Sequence, residues 1–182
     1  MNKIVTILTI SRIIIAPMIF IFVIFFQFYG LALLLFFVAS VTDYFDGFLA
    51  RKYMATSLLG EVLDPIADKI IIIFLLFTLS IHLNSYFIAL MGALMISRDV
   101  WVNGMREMNA RRSQSDRTKV TFLAKVKTSL QMFTVSSYLL ALFLGNAFLL
   151  FISDFFLFLT LLVSLITGFQ YTVNTISQKV DN

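Results

Sequence analysis

Four aspartates stand in two pairs between long apolar runs: Asp43 and Asp46, then Asp64 and Asp68. An ionisable side chain at the centre of a membrane segment costs about 2.5–3.5 kcal/mol on insertion scales. Four carboxylates in one hairpin also repel one another, so the sequence requires a cationic compensator. Because oxygen ligands suit hard divalent cations, we predict a site for a pair of divalent metal ions.

The spacing of these acids predicts how they converge. Asp43 and Asp46 are three residues apart, and Asp64 and Asp68 are four apart, so each pair shares one face of a helix. The link between the two helices is short, and we therefore expect the helices to be antiparallel neighbours. All four carboxylates are then expected to meet near one end of the hairpin.

A different interpretation is that the acids form structural ion pairs with nearby cations, namely Arg51, Lys52 and Lys69. For any single acid this interpretation is reasonable. For all four together it is poor, because a buried ionic network that serves only stability is expensive to desolvate.

The composition predicts a single polytopic membrane domain over residues 1–182. The chain is 60% hydrophobic with a mean hydropathy of +0.95, whereas soluble domains are about 45–50% apolar. Six apolar stretches approach the ~20 residues that a bilayer requires. They run approximately over 9–28, 31–52, 61–81, 86–107, 120–144 and 147–174. Helices are expected throughout, since lipid offers no partners to open backbone. The chain contains no cysteine, which excludes disulfide and thiol chemistry.

The basic residues predict the orientation. All 14 Lys and Arg fall near the amino end, in alternate links between spans, or near the carboxyl end. The three other links contain none. With six spans, every basic residue lies on one side, which the positive-inside rule makes cytoplasmic. Both termini are therefore predicted to be cytoplasmic.

The residues around the four aspartates match a known pattern, D-x2-D-G-x2-A-R-x8-G-x3-D-x3-D. Every fixed position is filled: Asp43, Asp46, Gly47, Ala50, Arg51, Gly60, Asp64 and Asp68. The chain thereby resembles the CDP-alcohol phosphatidyltransferase family, also in its length and six-span plan. Members of that family displace CMP from a CDP-linked lipid with an alcohol. They use divalent metal, usually Mg or Mn, and many are homodimers.

The resemblance implies a role for each motif residue. Two divalent metal ions (Mg or Mn) would be held by Asp43, Asp46, Asp64 and Asp68, and Asp68 would also be the general base for the attacking hydroxyl. The CDP-lipid would be bound by an overlapping set: Asp43, Asp46, Gly47, Ala50, Arg51, Gly60 and Asp64. The small residues would leave room for the cytidine and phosphates. Arg51 would lie near the phosphates or, alternatively, extend to the membrane interface.

A basic cluster farther along the chain bears on the acceptor alcohol. Arg98 and Arg106 are eight residues apart, about two helical turns, and Lys125 and Lys127 begin the fifth span. Four cations around the mouth of the site suit an acceptor that is itself a phosphate, whereas serine or choline would not need them. Ordinary positive-inside anchoring is the alternative for these four residues.

The segments around these cations resemble those of phosphatidylglycerophosphate synthases, a group within the family whose acceptor is glycerol 3-phosphate. The resembling residues are Ser97, Arg98, Asp99, Gly104, Arg106, Glu107, Lys125, Lys127, Thr128 and Gln131. The expected reaction is transfer of a phosphatidyl group from CDP-diacylglycerol to glycerol 3-phosphate, with release of CMP. The CDP-diacylglycerol-dependent cardiolipin synthases, whose acceptor is phosphatidylglycerol, share part of this pattern and are the alternative.

A cation transporter is an alternative of a different class, because intramembrane acids often mark ion pathways. The acids here lie near the cytoplasmic end rather than along a path through the membrane, which favours the enzyme. We therefore expect an integral protein of the bacterial inner membrane whose active site faces the cytoplasm. Its expected partners are membrane lipid and a second copy in a homodimer, with no nucleic acid.

Overall fold

The computed structural model describes the backbone of residues 2–53, 58–111 and 122–177, and the side chains of 9–42, 63, 66–109, 126–173 and 175–176. Within these ranges the chain forms six α-helices and no strand, which confirms the predicted all-helical class. The helices are α1 (Asn2–Ile24), α2 (Tyr29–Tyr53), α3 (Leu58–His82), α4 (Tyr86–Arg111), α5 (Phe122–Leu144) and α6 (Ala147–Ser177). Several extend beyond the predicted apolar spans, because backbone hydrogen bonding continues a helix into polar sequence.

Three short turns reverse the chain between helices. Each contains one residue in the left-handed region: Gln27 (φ 54°), Asn84 (φ 48°) and Gly145 (φ 61°). Two of the helices that follow begin on a side-chain cap: Oδ1 of Asn146 accepts from the backbone N–H of Phe148 at 2.9 Å, and Oγ of Ser85 accepts from that of Ile88 at 3.3 Å. Turns this tight place consecutive helices side by side.

Contacts between side chains give the relative directions of the helices. The hydroxyl of Tyr29 lies 3.0 Å from Nε2 of His82 and joins the first residue of α2 to the last residue of α3. Since the link over 54–57 connects the opposite ends, α2 and α3 run antiparallel, as predicted. The prediction that they are packed neighbours is not met in the described parts of the chain, where their backbones do not approach each other because α1 packs against both. Helices α4 and α6 run parallel, as two pairs in the same order indicate: Arg98–Thr167 and Asn109–Thr175. Helices α5 and α6 run antiparallel: Thr134–Thr160 and Ser137–Ser153.

Helix α3 occupies the middle of the bundle and contacts α1, α4 and α5. Helix α1 also contacts α2, α2 contacts α5, and α6 packs along both α4 and α5. In the described parts of the chain, the backbones of α4 and α5 do not approach each other. This gap beside α3 is where the candidate site lies.

Both the interior and the outer surface of the bundle are apolar. Leu75, Leu79 and Leu139 are fully buried, whereas Phe151 and Phe169 are 70% and 71% exposed. One helical stretch of the described residues, Ala147–Val173, is long and apolar enough by itself to cross a membrane. Shorter apolar stretches run over Thr9–Ile24 and Tyr29–Thr42. Helices α3 and α4 carry ionisable side chains toward one end, so the uninterrupted apolar stretch of each is shorter than the helix itself.

Candidate active site

A cavity of about 230 Å³ lies between α3, α4 and α5, and Tyr171 of α6 borders it. Six of its lining side chains are acidic or basic: Asp68, Lys69, Arg98, Asp99, Arg106 and Lys127. Four cations against two carboxylates leave an excess of two positive charges on these walls. Apolar side chains such as Ile72 and Leu76 form the deeper part. A cavity with an apolar floor and convergent polar groups has the usual character of a small-molecule site.

Asp68 borders this cavity from α3, and Arg12 of α1 holds its carboxylate. Nη1 of Arg12 donates to Oδ1 of Asp68 in an ion pair. Arg12 is only 1% exposed, so its guanidinium lies inside the bundle rather than at the surface. Because a carboxylate offers about four lone-pair sites, Asp68 can accept from Arg12 and still bind a proton or a cation.

Asp99 joins two of the cavity cations. Its Oδ1 accepts from Nη1 of Arg98 at 2.8 Å and also from Nζ of Lys127. Lys127 belongs to α5 and is 6% exposed, so this carboxylate connects α4 to α5 across the gap between them. Each cation still carries further N–H donors. Asp99 therefore fixes the positions of Arg98 and Lys127 without using all of their donors.

Arg106 stands two turns farther along α4 and rests against α6. Its Nη2 donates to the hydroxyl of Tyr171 at 3.1 Å, and its guanidinium carbon lies 5.1 Å from the centre of the Tyr171 ring. Tyr171 is 4% exposed. The Nε atoms of Arg98 and Arg106 are buried and have no hydrogen-bond partner among the described residues.

Lys69 is the fourth cation of the cavity, contributed by α3 next to Asp68. In the described part of the chain, no carboxylate lies within ion-pair distance of its Nζ. Sequence reasoning gave Lys69 only as a candidate partner for the acids. Its position directly after Asp68 is the signal that could have added it to the acceptor group.

The structure therefore brings Arg98, Arg106 and Lys127 of the predicted acceptor group into one cavity with Asp68. The other predicted site residues lie within α2, α3 or α5, but their side chains are outside the described set: Asp43, Asp46, Gly47, Ala50, Arg51, Gly60, Asp64 and Lys125. Their roles stay predictions.

Of the four aspartates predicted to bind metal, only Asp68 has a described side chain. Among the described side chains, no three of His, Asp or Glu converge as a metal site would require. Asp68, the described member, presents a carboxylate of the chemical class that Mg and Mn bind. Its side chain is 33% exposed and borders the cavity, so this residue fits a divalent ion.

Comparison with known proteins identifies the family. The family model for CDP-alcohol phosphatidyltransferases matches residues 3–169. A protein of Blochmanniella floridana is 42% identical over 128 residues, which cover 69% of this chain and 67% of that protein. A protein of Wigglesworthia glossinidia brevipalpis is 37% identical over 137 residues, covering 74% and 75%. A Salmonella typhimurium protein is 35% identical over 131 residues, covering 70% and 71%.

All three relatives are named CDP-diacylglycerol--glycerol-3-phosphate 3-phosphatidyltransferase. The chain belongs to the CDP-alcohol phosphatidyltransferase family. It is a phosphatidyltransferase enzyme of phospholipid biosynthesis, and its family is membrane-bound and generally metal-dependent.

Proposed function

We propose that this protein transfers the phosphatidyl group of CDP-diacylglycerol to glycerol 3-phosphate and releases CMP. The observation that carries the proposal is the cavity in which Lys69, Arg98, Arg106 and Lys127 surround a space beside Asp68. The names of the relatives point to the same reaction.

The charge of the cavity favours a phosphate monoester as acceptor. A phosphate monoester carries about −1.5 to −2 charges near neutral pH, which matches the excess of two positive charges on the cavity walls. Two of the cations are arginines, whose planar donors suit phosphate oxygens. The phosphodiester of phosphatidylglycerol has a single negative charge and brings two acyl chains, so it fits this cavity less well.

Asp68 is proposed as the general base. Its carboxylate takes the proton of the acceptor hydroxyl, whose oxygen forms a bond to the lipid-side phosphorus of the pyrophosphate. The bond from that phosphorus to the bridging oxygen breaks, and CMP leaves with the electron pair. The cations that hold the acceptor phosphate also fix its hydroxyl close to Asp68, which lowers the entropic part of the barrier.

The CDP-lipid is proposed to bind along α2 and the start of α3. There Gly47, Ala50 and Gly60 leave room for the cytidine and phosphates, and Arg51 lies near the phosphates. Two divalent ions, when bound by Asp43, Asp46, Asp64 and Asp68, supply neutralisation of the pyrophosphate and of the leaving group. Lys125 is proposed as a further contact for the acceptor phosphate.

We further propose that residues 1–182 form one domain that crosses the bacterial inner membrane six times and acts as a homodimer. The alternating helix directions put the cavity cations at one end of the bundle, and His82 and Asp154 toward the other. The predicted orientation makes the cavity end cytoplasmic, with both termini on that side. Exposed phenylalanines such as Phe37, Phe151 and Phe169 give the outer surface an apolar character suited to lipid.

An acceptor panel tests the proposed function. Purified protein is supplied with CDP-diacylglycerol, Mg or Mn, and one of four acceptors: glycerol 3-phosphate, phosphatidylglycerol, serine or inositol. CMP release and the lipid product are measured by chromatography and mass spectrometry. We expect product with glycerol 3-phosphate. Product with phosphatidylglycerol alone would replace this proposal with the cardiolipin synthase reaction, and CMP release with no acceptor dependence would contradict transfer altogether.

A further inference from the structure

The described end of α6 carries two hydroxyl groups that contact the two cavity arginines. Thr167 and Tyr171 are four residues apart and therefore share one face of the helix. Oγ1 of Thr167 accepts from Nη2 of Arg98 at 2.7 Å, and the hydroxyl of Tyr171 accepts from Nη2 of Arg106 at 3.1 Å. Both residues are almost completely buried, Thr167 at 1% and Tyr171 at 4%. Each arginine of the cavity thus has its own partner on α6.

The same stretch of α6 also packs closely against the side chain of Arg98. A Cβ atom added to Gly168 would lie 2.8 Å from Nε and 3.0 Å from Cγ of Arg98. The side chain of Arg98 therefore lies against the helix backbone at Gly168, with Nη2 held by Thr167 and Nη1 held by Asp99. Contacts along its length restrict this arginine to one geometry.

We infer that Thr167 and Tyr171 are positioning residues that orient Arg98 and Arg106 toward the acceptor phosphate. An arginine side chain has many rotamers, and fixing them before the ligand arrives lowers the entropic cost of binding. Each guanidinium has five N–H donors in a planar fork, so a single hydrogen bond to α6 leaves donors for the ligand. This inference rests on the proposed phosphate-bearing acceptor and names residues outside the motif that determine its affinity.

The test compares variants of nearly equal shape. Thr167→Val removes the hydroxyl and keeps the branched side chain, whereas Thr167→Ser keeps the hydroxyl. Thr160→Val is the matched control, because Thr160 is also buried on α6 but bonds Thr134 of α5 at 3.0 Å, away from the arginines. Tyr171→Phe removes the second hydroxyl and keeps the ring under Arg106.

Binding of inorganic phosphate to each purified variant is measured by calorimetry, and KM values for glycerol 3-phosphate and CDP-diacylglycerol are measured in parallel. We expect Thr167→Val and Tyr171→Phe each to weaken phosphate binding about tenfold, as loss of a hydrogen bond to a charged group does. The KM for glycerol 3-phosphate should rise in step, while the KM for CDP-diacylglycerol stays unchanged. Thr167→Ser and Thr160→Val should bind phosphate as the unaltered protein does.

Equal phosphate affinity of Thr167→Val and Thr167→Ser would overturn the inference for Thr167, and unchanged affinity of Tyr171→Phe would do so for Tyr171. A rise in both KM values, or a similar loss in Thr160→Val, would indicate a general packing defect and would also overturn it. Absence of phosphate binding by the unaltered protein would contradict the site itself. Failure of the proposed reaction has a different signature: phosphate affinity still depends on Thr167, but no product forms with glycerol 3-phosphate.

Discussion

Arg12 of α1 forms an ion pair with Asp68 of α3, and the guanidinium of this pair is buried inside the bundle. The pair lies where α1 packs along α3, and Asp68 also borders the cavity. A buried arginine without a partner would be very costly. Arg12 and Asp68 therefore compensate each other, and the first helix takes part in the site by orienting the proposed base.

Removal of Arg12 should lower both stability and turnover. Breaking a buried ion pair by deleting one partner costs about 3–5 kcal/mol. A smaller loss, about 1–3 kcal/mol in the free energy of unfolding, is expected for Arg12→Gln, because the side chain of Asp68 is 33% exposed. Thermal melting in detergent measures the change.

A double-mutant cycle on the same pair isolates their interaction. Asp68→Asn removes the charge that Arg12 compensates, so the double variant Arg12→Gln, Asp68→Asn should be more stable than the sum of the two single losses predicts. Strictly additive losses in melting stability would mean that Arg12 and Asp68 do not interact in solution.

Loss of the Asp68 carboxylate should abolish most of the transfer reaction. General base catalysis contributes about 10²–10⁴-fold to rate, so Asp68→Asn should reduce kcat by a factor in that range. Asp154→Asn is the matched control, since Asp154 accepts from Tyr138 and does not border the cavity. CMP release per unit time is measured for both variants. Wild-type turnover by Asp68→Asn would refute the assignment of the base.

Three of the four cavity cations could be proposed from the sequence, because their residue types suit a phosphate-bearing acceptor. Arg98 and Arg106 were assigned to the site because clustered cations suit a phosphate acceptor, with positive-inside anchoring as the alternative, and the structure places both on the cavity. Thr167 and Tyr171 gave no comparable signal, because a hydroxyl in an apolar helix can bond its own backbone, as Thr167 also does to Val163 at 2.8 Å. Their contacts with α4 depend on how distant helices pack, which no local pattern specifies.

The boundaries of the helices show the same limit. Apolarity predicted a first span from about residue 9, yet α1 begins at Asn2. Hydrophobic length reports what lipid must cover, whereas helix length reports where backbone hydrogen bonds continue. Arg12 lies inside the predicted span, and its burial follows from the packing of α1 against α3 rather than from the length of the helix.

Lys69 should contribute to acceptor affinity although it lies outside the predicted acceptor group. Its ammonium group borders the cavity and has no carboxylate within ion-pair distance among the described residues. Lys69→Gln should therefore raise the KM for glycerol 3-phosphate about tenfold, the effect of losing one charged hydrogen bond. Lys69→Arg, which keeps the charge, should recover most of that loss. An unchanged KM in Lys69→Gln would remove this residue from the acceptor site.

Removal of divalent metal should abolish the transfer reaction but leave binding of the acceptor phosphate intact. The proposed metal ligands are the four motif aspartates, whereas the acceptor phosphate is held by Arg98, Arg106 and Lys127 of the cavity. Chelation with EDTA should therefore abolish CMP release, and excess Mg or Mn should restore it. Phosphate binding, measured by calorimetry in EDTA, should change by less than about twofold, because the cavity cations belong to the protein. A parallel loss of phosphate affinity in EDTA would mean that metal, rather than the cation cluster, binds the acceptor phosphate.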